Sequence, residues 1–239
     1  MTHGAVVVFA RAPERGCVKT RLAPAVGEDG ALALHRAFLA DALAAARGSG
    51  ARVLLAHTPS RPFPEQALAD DAYPQRGEGF GLRLDGALAD ARERVQGPLV
   101  LVGADTPQTP PSALRDALTR LGDADAVLGP GREGGFHLIG FARVPVPIAE
   151  AFASGGEAAN VARLLRARGA RLALCEPSFD VDVPDDLRDL ALHLDLLAGA
   201  GAPWTAPATT SALAALGVTR SVRERTWGER AAAPRGSPR

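Results

Sequence analysis

The sequence predicts an α/β fold in which helices cover both faces of a mostly parallel central sheet. Residues 99–102 form an unbroken apolar run between Pro98 and Gly103, and this run is too short for a lone helix. Such a run is typical of a strand that is buried on both faces in the middle of a parallel sheet. A similar run covers residues 5–10. Amphipathic segments alternate with these runs and indicate the connecting helices.

Helices are predicted where apolar residues recur on one face, and strands where short apolar runs lie between turn residues. In residues 31–47, Leu32, Phe38, Leu39 and Leu43 are directed towards the core. Further helices are predicted over residues 65–69, up to about residue 94, and over residues 112–121, 157–168 and 184–197. Further strands are predicted over residues 52–57, 126–129, 136–141 and 171–175.

The composition limits the classes of protein to which the chain can belong. Its 239 residues fit one α/β domain over residues 1–198 and an appendage over residues 199–239, rich in Ala, Pro, Gly and Arg and expected to be poorly ordered. Lys+Arg and Asp+Glu both number 27, which gives no support for nucleic-acid or membrane-surface binding. Without a membrane-length apolar run, a signal-peptide pattern or a disulfide framework, the chain is expected to be cytoplasmic.

A cationic loop follows the first predicted strand. Residues 11–22 carry four cations, Arg11, Arg15, Lys19 and Arg21, against a single acid. Such a loop is typical of phosphate binding, because glycine lets the backbone approach the ligand while Lys and Arg neutralise its charge. The spacing does not fit a Walker loop. The alternative is a basic loop that is merely solvated.

Lys19 is the only lysine of the chain, and every other basic side chain of the Lys/Arg class is arginine. A compact ammonium and a planar guanidinium are not interchangeable at a crowded phosphate site. The position of Lys19 in the cationic loop therefore favours a functional role over the chance survival of one lysine.

Two acidic segments are candidates for metal binding. Asp105 comes directly after the central strand, at the edge of the sheet where α/β proteins bind ligands, although a turn or capping role is the alternative. A carboxylate there can hold Mg²⁺ together with phosphate oxygens. Asp185 and Asp186 are explained as the acidic first turn of a helix, but Asp182 precedes that helix in an extended segment.

Two glycine-rich stretches are also expected near the ligand. Residues 73–83 contain Gly79 and two further glycines, which indicate a flexible lip, with plain turns as the alternative. Glu133 precedes Gly134-Gly135 at the predicted mouth of the sheet. It is a candidate base on the acceptor side, or else an exposed loop acid.

Three parts of the sequence together resemble one bacterial family. They are Phe9-Ala-Arg-Ala-Pro13 with Val18-Lys-Thr-Arg-Leu-Ala-Pro24; Gly103-Ala-Asp-Thr-Pro107; and Gly134-Gly-Phe-His-Leu-Ile-Gly140 with Phe179-Asp-Val-Asp-Val-Pro-Asp-Asp-Leu187. They look like the small glycosyltransferase-A-fold proteins labelled arsenosugar-biosynthesis glycosyltransferases or a domain of unknown function. The resemblance extends over residues 5–197. Where the family usually has Asp-Gly-Gly, this chain has Glu133-Gly-Gly.

The resemblance implies a Rossmann-like nucleotide-diphospho-sugar transferase (GT-A) fold with the nucleotide across the first βα loop. It implies a divalent metal, Mg²⁺ or Mn²⁺, on Asp105 and Asp182, and phosphate contacts from Lys19 and Arg21. The candidate catalytic residues are Lys19, Asp105 and Glu133, and the candidate nucleotide- or phosphate-binding residues are Ala10, Arg11, Lys19, Arg21, Gly79 and Arg83.

Three functions remain open at this point. The first, which we favour from the sequence, is a metal-dependent glycosyltransferase with a nucleotide-sugar donor and a small-molecule acceptor. The second is a nucleotidyltransferase that joins an NTP to a phosphorylated small molecule, because residues 19–24 also resemble the opening of phospholactate guanylyltransferases. The third is a non-catalytic nucleotide-binding protein, against which the intact Lys19, Arg21, Asp105 and Asp182 argue.

Overall fold

The computed structural model describes residues 4–154 and 157–218. A seven-stranded sheet of order β3-β2-β1-β4-β6-β5-β7 forms its centre, and β6 is antiparallel to both neighbours while the other pairs are parallel. The predicted fold class is therefore confirmed. The strands are β1 (Ala5–Ala10), β2 (Arg52–His57), β3 (Asp71–Pro74), β4 (Leu99–Gly103), β5 (Ala126–Pro130), β6 (Phe136–Phe141) and β7 (Leu172–Leu174).

Helices cover both faces of this sheet. Alternation along β1 directs Val7 to one face, where it packs in a cluster with residues of α2 and α4. Val6 and Val8 point to the other face, which α1 and α3 cover. The helices are α1 (Ala23–Gly48), α2 (Gly79–Arg94), α3 (Pro111–Arg120), α4 (Glu157–Ala167), α5 (Pro184–Gly199) and α6 (Pro207–Ala215), with 3₁₀ turns at Pro64–Leu68, Arg132–Gly134 and Ala149–Ser154.

The register of the central strands determines where the site forms. In the parallel pair β1 and β4, Phe9 lies opposite Gly103, so both strands end at the same level. The cationic loop after β1 and the segment containing Asp105 after β4 are consequently neighbours at the carboxyl edge of the sheet.

Two elements differ from the sequence prediction. Helix α1 begins at Ala23 instead of residue 31, with Pro24 in its first turn and a non-helical Gly27 (φ 76°, ψ 164°) that interrupts it. Because Gly27 interrupts the helix, the apolar periodicity of residues 31–47 does not extend back to the first turns of α1. Strand β3 was not predicted, because its four residues Asp71–Pro74 carry no apolar run.

The C-terminal segment up to Val218 packs on the domain. The Asp41 carboxylate on α1 accepts hydrogen bonds from the backbone N–H groups of Ala208 (3.0 Å) and Thr209 (2.7 Å), at the start of α6. Ala206 and Leu213 are buried in a cluster with α1 and α5. Residues 219–239 of the predicted appendage lie outside the described residues. In the described ranges, no helix has the length and apolar character needed to cross a membrane.

Candidate active site

A pocket opens at the carboxyl edge of the sheet, beside the ends of β1 and β4. Its volume is about 340 Å³, which is within the range of small-molecule sites. Most of the residues predicted to bind nucleotide or metal line it. The lining residues are Phe9, Ala10, Arg11, Cys17, Val18, Lys19, Thr20, Arg21, His35, Gln75, Phe80, Arg83, Asp105 and Asp182.

The Lys19 ammonium lies between two carboxylates at the bottom of this pocket. Its Nζ atom is 2.5 Å from Asp105 Oδ1 and 3.0 Å from Asp182 Oδ1, and it donates a further hydrogen bond to the Val181 carbonyl at 2.8 Å. Only 4% of the Lys19 side chain is exposed, whereas 46% of each carboxylate side chain is. The structure thus brings together Lys19, which the sequence analysis assigned to phosphate binding, with Asp105 and Asp182, which it assigned to metal binding.

Electrostatics keep Lys19 and Asp105 ionised. Burial by itself lowers the pKa of Lys19, but the attraction of Asp105 and Asp182 outweighs this effect and the pKa is raised overall. Burial likewise opposes ionisation of Asp105, and the adjacent Lys19 lowers its pKa below the usual value. Burial, followed by repulsion from Asp105 and Asp182, raises the pKa of nearby Asp180 to about 6. The cluster therefore holds more negative charge than Lys19 can neutralise.

Backbone contacts position Asp182 opposite Asp105. The N–H of buried Val181 donates to the Asp105 carbonyl at 3.0 Å. The Asp186 carboxylate on the first turn of α5 accepts hydrogen bonds from the N–H groups of Asp182 and Val183, both at 2.9 Å. The predicted role of Asp186 at the start of the helix is confirmed. Because its carboxylate binds the Asp182 N–H, Asp186 also fixes the position of the Asp182 backbone.

The four cations of the first loop are divided between two roles. Arg15 is paired with Glu28 and Asp29 at the surface, and Lys19 is paired in the pocket. Arg11 and Arg21 line the pocket and form no ion pair within the described residues. They therefore present positive charge to a ligand, as an anion-binding site requires.

Two buried polar side chains of the pocket were not identified from the sequence. His35 on α1 donates from Nε2 to the Arg11 carbonyl at 2.9 Å, which holds the start of the loop. Gln75 donates from Nε2 to the carbonyls of Ala10 (2.9 Å) and Ala56 (3.0 Å). These hydrogen bonds fix the orientations of the His35 and Gln75 side chains. Within the described residues, His35 Nδ1 and Gln75 Oε1 have no hydrogen-bond partner. Neither has a sequence signal, because each is fixed by hydrogen bonds to backbone carbonyls, which no motif encodes.

Comparison with known proteins places this geometry in a family. The chain matches the model of uncharacterised proteins conserved in bacteria (DUF2064) over residues 39–154. It is 32% identical over 195 residues to the phosphoenolpyruvate guanylyltransferase of Rubrobacter xylanophilus, a match that covers 77% of this chain and 93% of that protein. The chain belongs to the DUF2064 family.

Solved structures place this DUF2064 protein in the superfamily of nucleotidyl- and sugar-nucleotide transferases. A candidate nucleotide-diphospho-sugar transferase from Desulfovibrio desulfuricans is 27% identical, with a TM-score of 0.77 over 90% of this chain and 97% of that chain. CMP:2-keto-3-deoxy-manno-octonic acid synthetase, 14% identical with a TM-score of 0.50 over 82% of this chain and 100% of that chain, shares the fold. The resemblance identified from the sequence is confirmed.

The remaining predicted residues lie at the margin of the DUF2064 pocket or outside it. Arg83 lines it and contacts the Gly79 carbonyl at 3.3 Å, where α2 begins. Glu133 is exposed and does not line the pocket. Its backbone is left-handed (φ 55°), and the adjacent Arg132 holds the loop through Asp189 at 3.2 Å and over the Phe179 ring at 4.3 Å.

The donor atoms of this site fit a divalent metal that is shared with a substrate. No group of three or more His, Cys, Asp or Glu side chains in the described ranges is arranged to hold a metal by itself. Asp105 and Asp182 supply two carboxylates that are open to the pocket. Mg²⁺ is usually bound by one or two carboxylates, with substrate phosphates and water completing its coordination.

Proposed function

We propose that this chain is a nucleotidyltransferase that transfers a nucleoside monophosphate from an NTP to a small phosphorylated carboxylic acid. The observation that carries the proposal is the pocket in which Asp105 and Asp182 lie next to unpaired arginines. The similarity to a phosphoenolpyruvate guanylyltransferase supports GTP as the donor and phosphoenolpyruvate as the acceptor.

Different side chains of the pocket would bind different parts of the substrate. Arg11 and Arg21 would hold the triphosphate from the first loop, and Arg83 from the second turn of α2. Asp105 and Asp182 would hold the divalent metal, which when bound supplies positive charge to the triphosphate and its leaving group. Gln75, whose amide is held by two backbone carbonyls, lines the same pocket.

The reaction is a substitution at phosphorus. An oxygen of the acceptor phosphate forms a bond to the α-phosphorus, the bond from that phosphorus to the β-phosphate oxygen breaks, and pyrophosphate leaves. Catalysis of this type depends mainly on positioning and on charge stabilisation.

The position of Glu133 favours nucleotidyl transfer over glycosyl transfer. A phosphate monoester loses its second proton with a pKa of about 6, so it is already a nucleophile at neutral pH. A sugar or alcohol hydroxyl instead needs a base within hydrogen-bond reach. Glu133, the candidate base, does not line the pocket, and transfer to a phosphate needs no such group.

Product analysis tests this proposal. The protein is incubated with Mg²⁺, phosphoenolpyruvate and each of GTP, ATP, CTP and UTP, and pyrophosphate release and product mass are measured. We expect pyrophosphate and a guanylylated acceptor with GTP and phosphoenolpyruvate together, and neither product from Asp105→Asn. Turnover of a nucleotide sugar to the nucleoside diphosphate, with no pyrophosphate from any NTP, would instead establish the glycosyltransferase hypothesis.

A further inference from the structure

All the hydrogen-bond donors of Lys19 are used within the protein. An ammonium has three N–H groups and no acceptor, and the three partners of Lys19 are Asp105 Oδ1, Asp182 Oδ1 and the Val181 carbonyl. In this arrangement Lys19 has no donor left for a phosphate. A metal between Asp105 and Asp182 would draw on the same two carboxylates.

We propose that Lys19 is an internal counter-ion that exchanges with the divalent metal when phosphate enters the pocket. Before binding, its ammonium lies between the two carboxylates and holds them in place. When metal and phosphate arrive together, the metal takes the position between the carboxylates and the ammonium moves to the phosphate oxygens. This inference rests on the proposed function only in assuming a ligand that contains phosphate.

The burial of Lys19 explains why the two ligands should bind together. Its ammonium is enclosed by the carboxylates and by the Phe38 ring, whose centroid is 5.5 Å away. A metal alone would push this buried cation out of its two ion pairs with Asp105 and Asp182, and an unpaired charge at the bottom of a pocket is costly. A phosphate removes that cost, because it provides a new anionic partner within the same pocket.

The surroundings of Lys19 allow such a movement. Asp105 and Asp182 are half-exposed towards the pocket, so a metal can reach them without opening the fold. The Lys19 backbone is left-handed (φ 46°), a conformation that non-glycine residues rarely adopt. Arg11 and Arg21 line the same pocket and provide positive charge that could hold a phosphate.

A metal titration without nucleotide tests the exchange. Binding of Mn²⁺ alone is measured by electron paramagnetic resonance for the wild type, for Lys19→Met, and for Arg15→Met as a matched loss of one loop cation outside the pocket. We expect Lys19→Met to bind Mn²⁺ at least 10-fold more tightly than the wild type, and Arg15→Met to be unchanged. Equal or weaker Mn²⁺ binding by a folded Lys19→Met protein would overturn the proposal.

Pyrophosphate tests the coupling without assuming any base or acceptor. In the wild type, 1 equivalent of pyrophosphate should raise Mn²⁺ affinity at least 10-fold, and in Lys19→Met this effect should fall below 3-fold. An equal effect in both proteins would contradict the exchange. The absence of any pyrophosphate binding would count against the proposed function, whereas the titration with Mn²⁺ alone still decides the role of Lys19.

The single lysine provides a readout that needs no variant. Protein labelled with ¹³C-lysine has one lysine side chain, so its Cε resonance reports Lys19 directly. We expect Mg²⁺ alone to leave this resonance in place, and Mg²⁺ with pyrophosphate to shift it. An unchanged resonance when calorimetry shows that both ligands are bound would overturn the proposal, even if Lys19→Met failed to fold.

Discussion

Lys19 Nζ lies 2.5 Å from Asp105 Oδ1, which joins the cationic loop after β1 to the end of β4. Asp182, 163 residues beyond Lys19, completes the arrangement from the segment that leads into α5. Because β1 and β4 are parallel neighbours, this ion pair forms at the edge of the sheet where α/β proteins bind ligands. The same three residues therefore organise both the pocket and the proposed chemistry.

Asp105→Asn should abolish Mg²⁺-dependent nucleotide binding in a protein that remains folded. The amide cannot supply the charged oxygen that the metal needs, while Lys19 retains Asp182 and the Val181 carbonyl as partners. Thermal shifts with GTP, with and without Mg²⁺, measure the effect, since a ligand that binds only the native state raises its stability. Asp116→Asn, at an exposed pair with Arg120, is the control. A Mg²⁺-dependent shift that survives in Asp105→Asn would remove Asp105 from the metal site.

Arg11→Gln and Arg21→Gln should each weaken nucleotide binding, whereas Arg15→Gln should not. The first two lose a charge-assisted contact to phosphate, about 1.5–3 kcal/mol or roughly 10- to 100-fold in Kd. Arg15 belongs to the same loop but is already paired with Glu28 and Asp29. Calorimetric titration with GTP and Mg²⁺ compares the three. Equal losses in all three variants would mean that the loop acts only through its overall charge.

The fold could be predicted from the sequence because its main elements have strong local signals. The apolar runs of β1, β2 and β6 were predicted to the residue, and the buried strand β4 to within one residue. What could not be predicted depends on contacts between distant segments. The docking of α6 rests on a buried carboxylate, Asp41, whose partners are backbone groups far along the chain.

The sequence predicted which residues form the candidate site better than it predicted how their side chains are arranged. The motifs identified Lys19, Asp105 and Asp182, but the side-chain direction of Lys19 depends on three-dimensional packing that no spacing reveals. For the same reason the sequence did not distinguish Arg15, which pairs with α1, from Arg11 and Arg21. His35 and Gln75 were missed because the hydrogen bonds that fix them are made to backbone carbonyls.

Alkylation should distinguish the two cysteines and report occupancy of the pocket. Cys17 is exposed and lines the pocket, whereas burial raises the pKa of the half-buried Cys175 to about 11. At pH 8 the Cys175 thiol is almost entirely protonated, and only the thiolate reacts readily. We expect iodoacetamide to modify Cys17 first, and GTP with Mg²⁺ to protect it, as measured by mass spectrometry. Labelling of Cys17 that GTP leaves unchanged would argue against a nucleotide at this wall.

A chain truncated after residue 198 should be less stable than a chain truncated after residue 218. The shorter chain loses α6 and with it the burial of Ala206 and Leu213, a loss of about 2–4 kcal/mol. It also loses the hydrogen bond from the Trp204 indole to the Pro107 carbonyl, which lies two residues beyond Asp105. Urea unfolding of both truncated chains measures the difference. The same midpoint for both would mean that residues 199–218 behave as the loose appendage expected from composition.

Anomalous diffraction from crystals grown with Mn²⁺ and a non-hydrolysable GTP analogue locates the metal and the Lys19 side chain in one experiment. We expect one Mn²⁺ peak between Asp105 and Asp182 with phosphate oxygens completing its coordination, and Lys19 Nζ moved onto the phosphates. A nucleotide bound in the pocket while Lys19 still bridges both carboxylates, with no Mn²⁺ between them, would contradict this expectation.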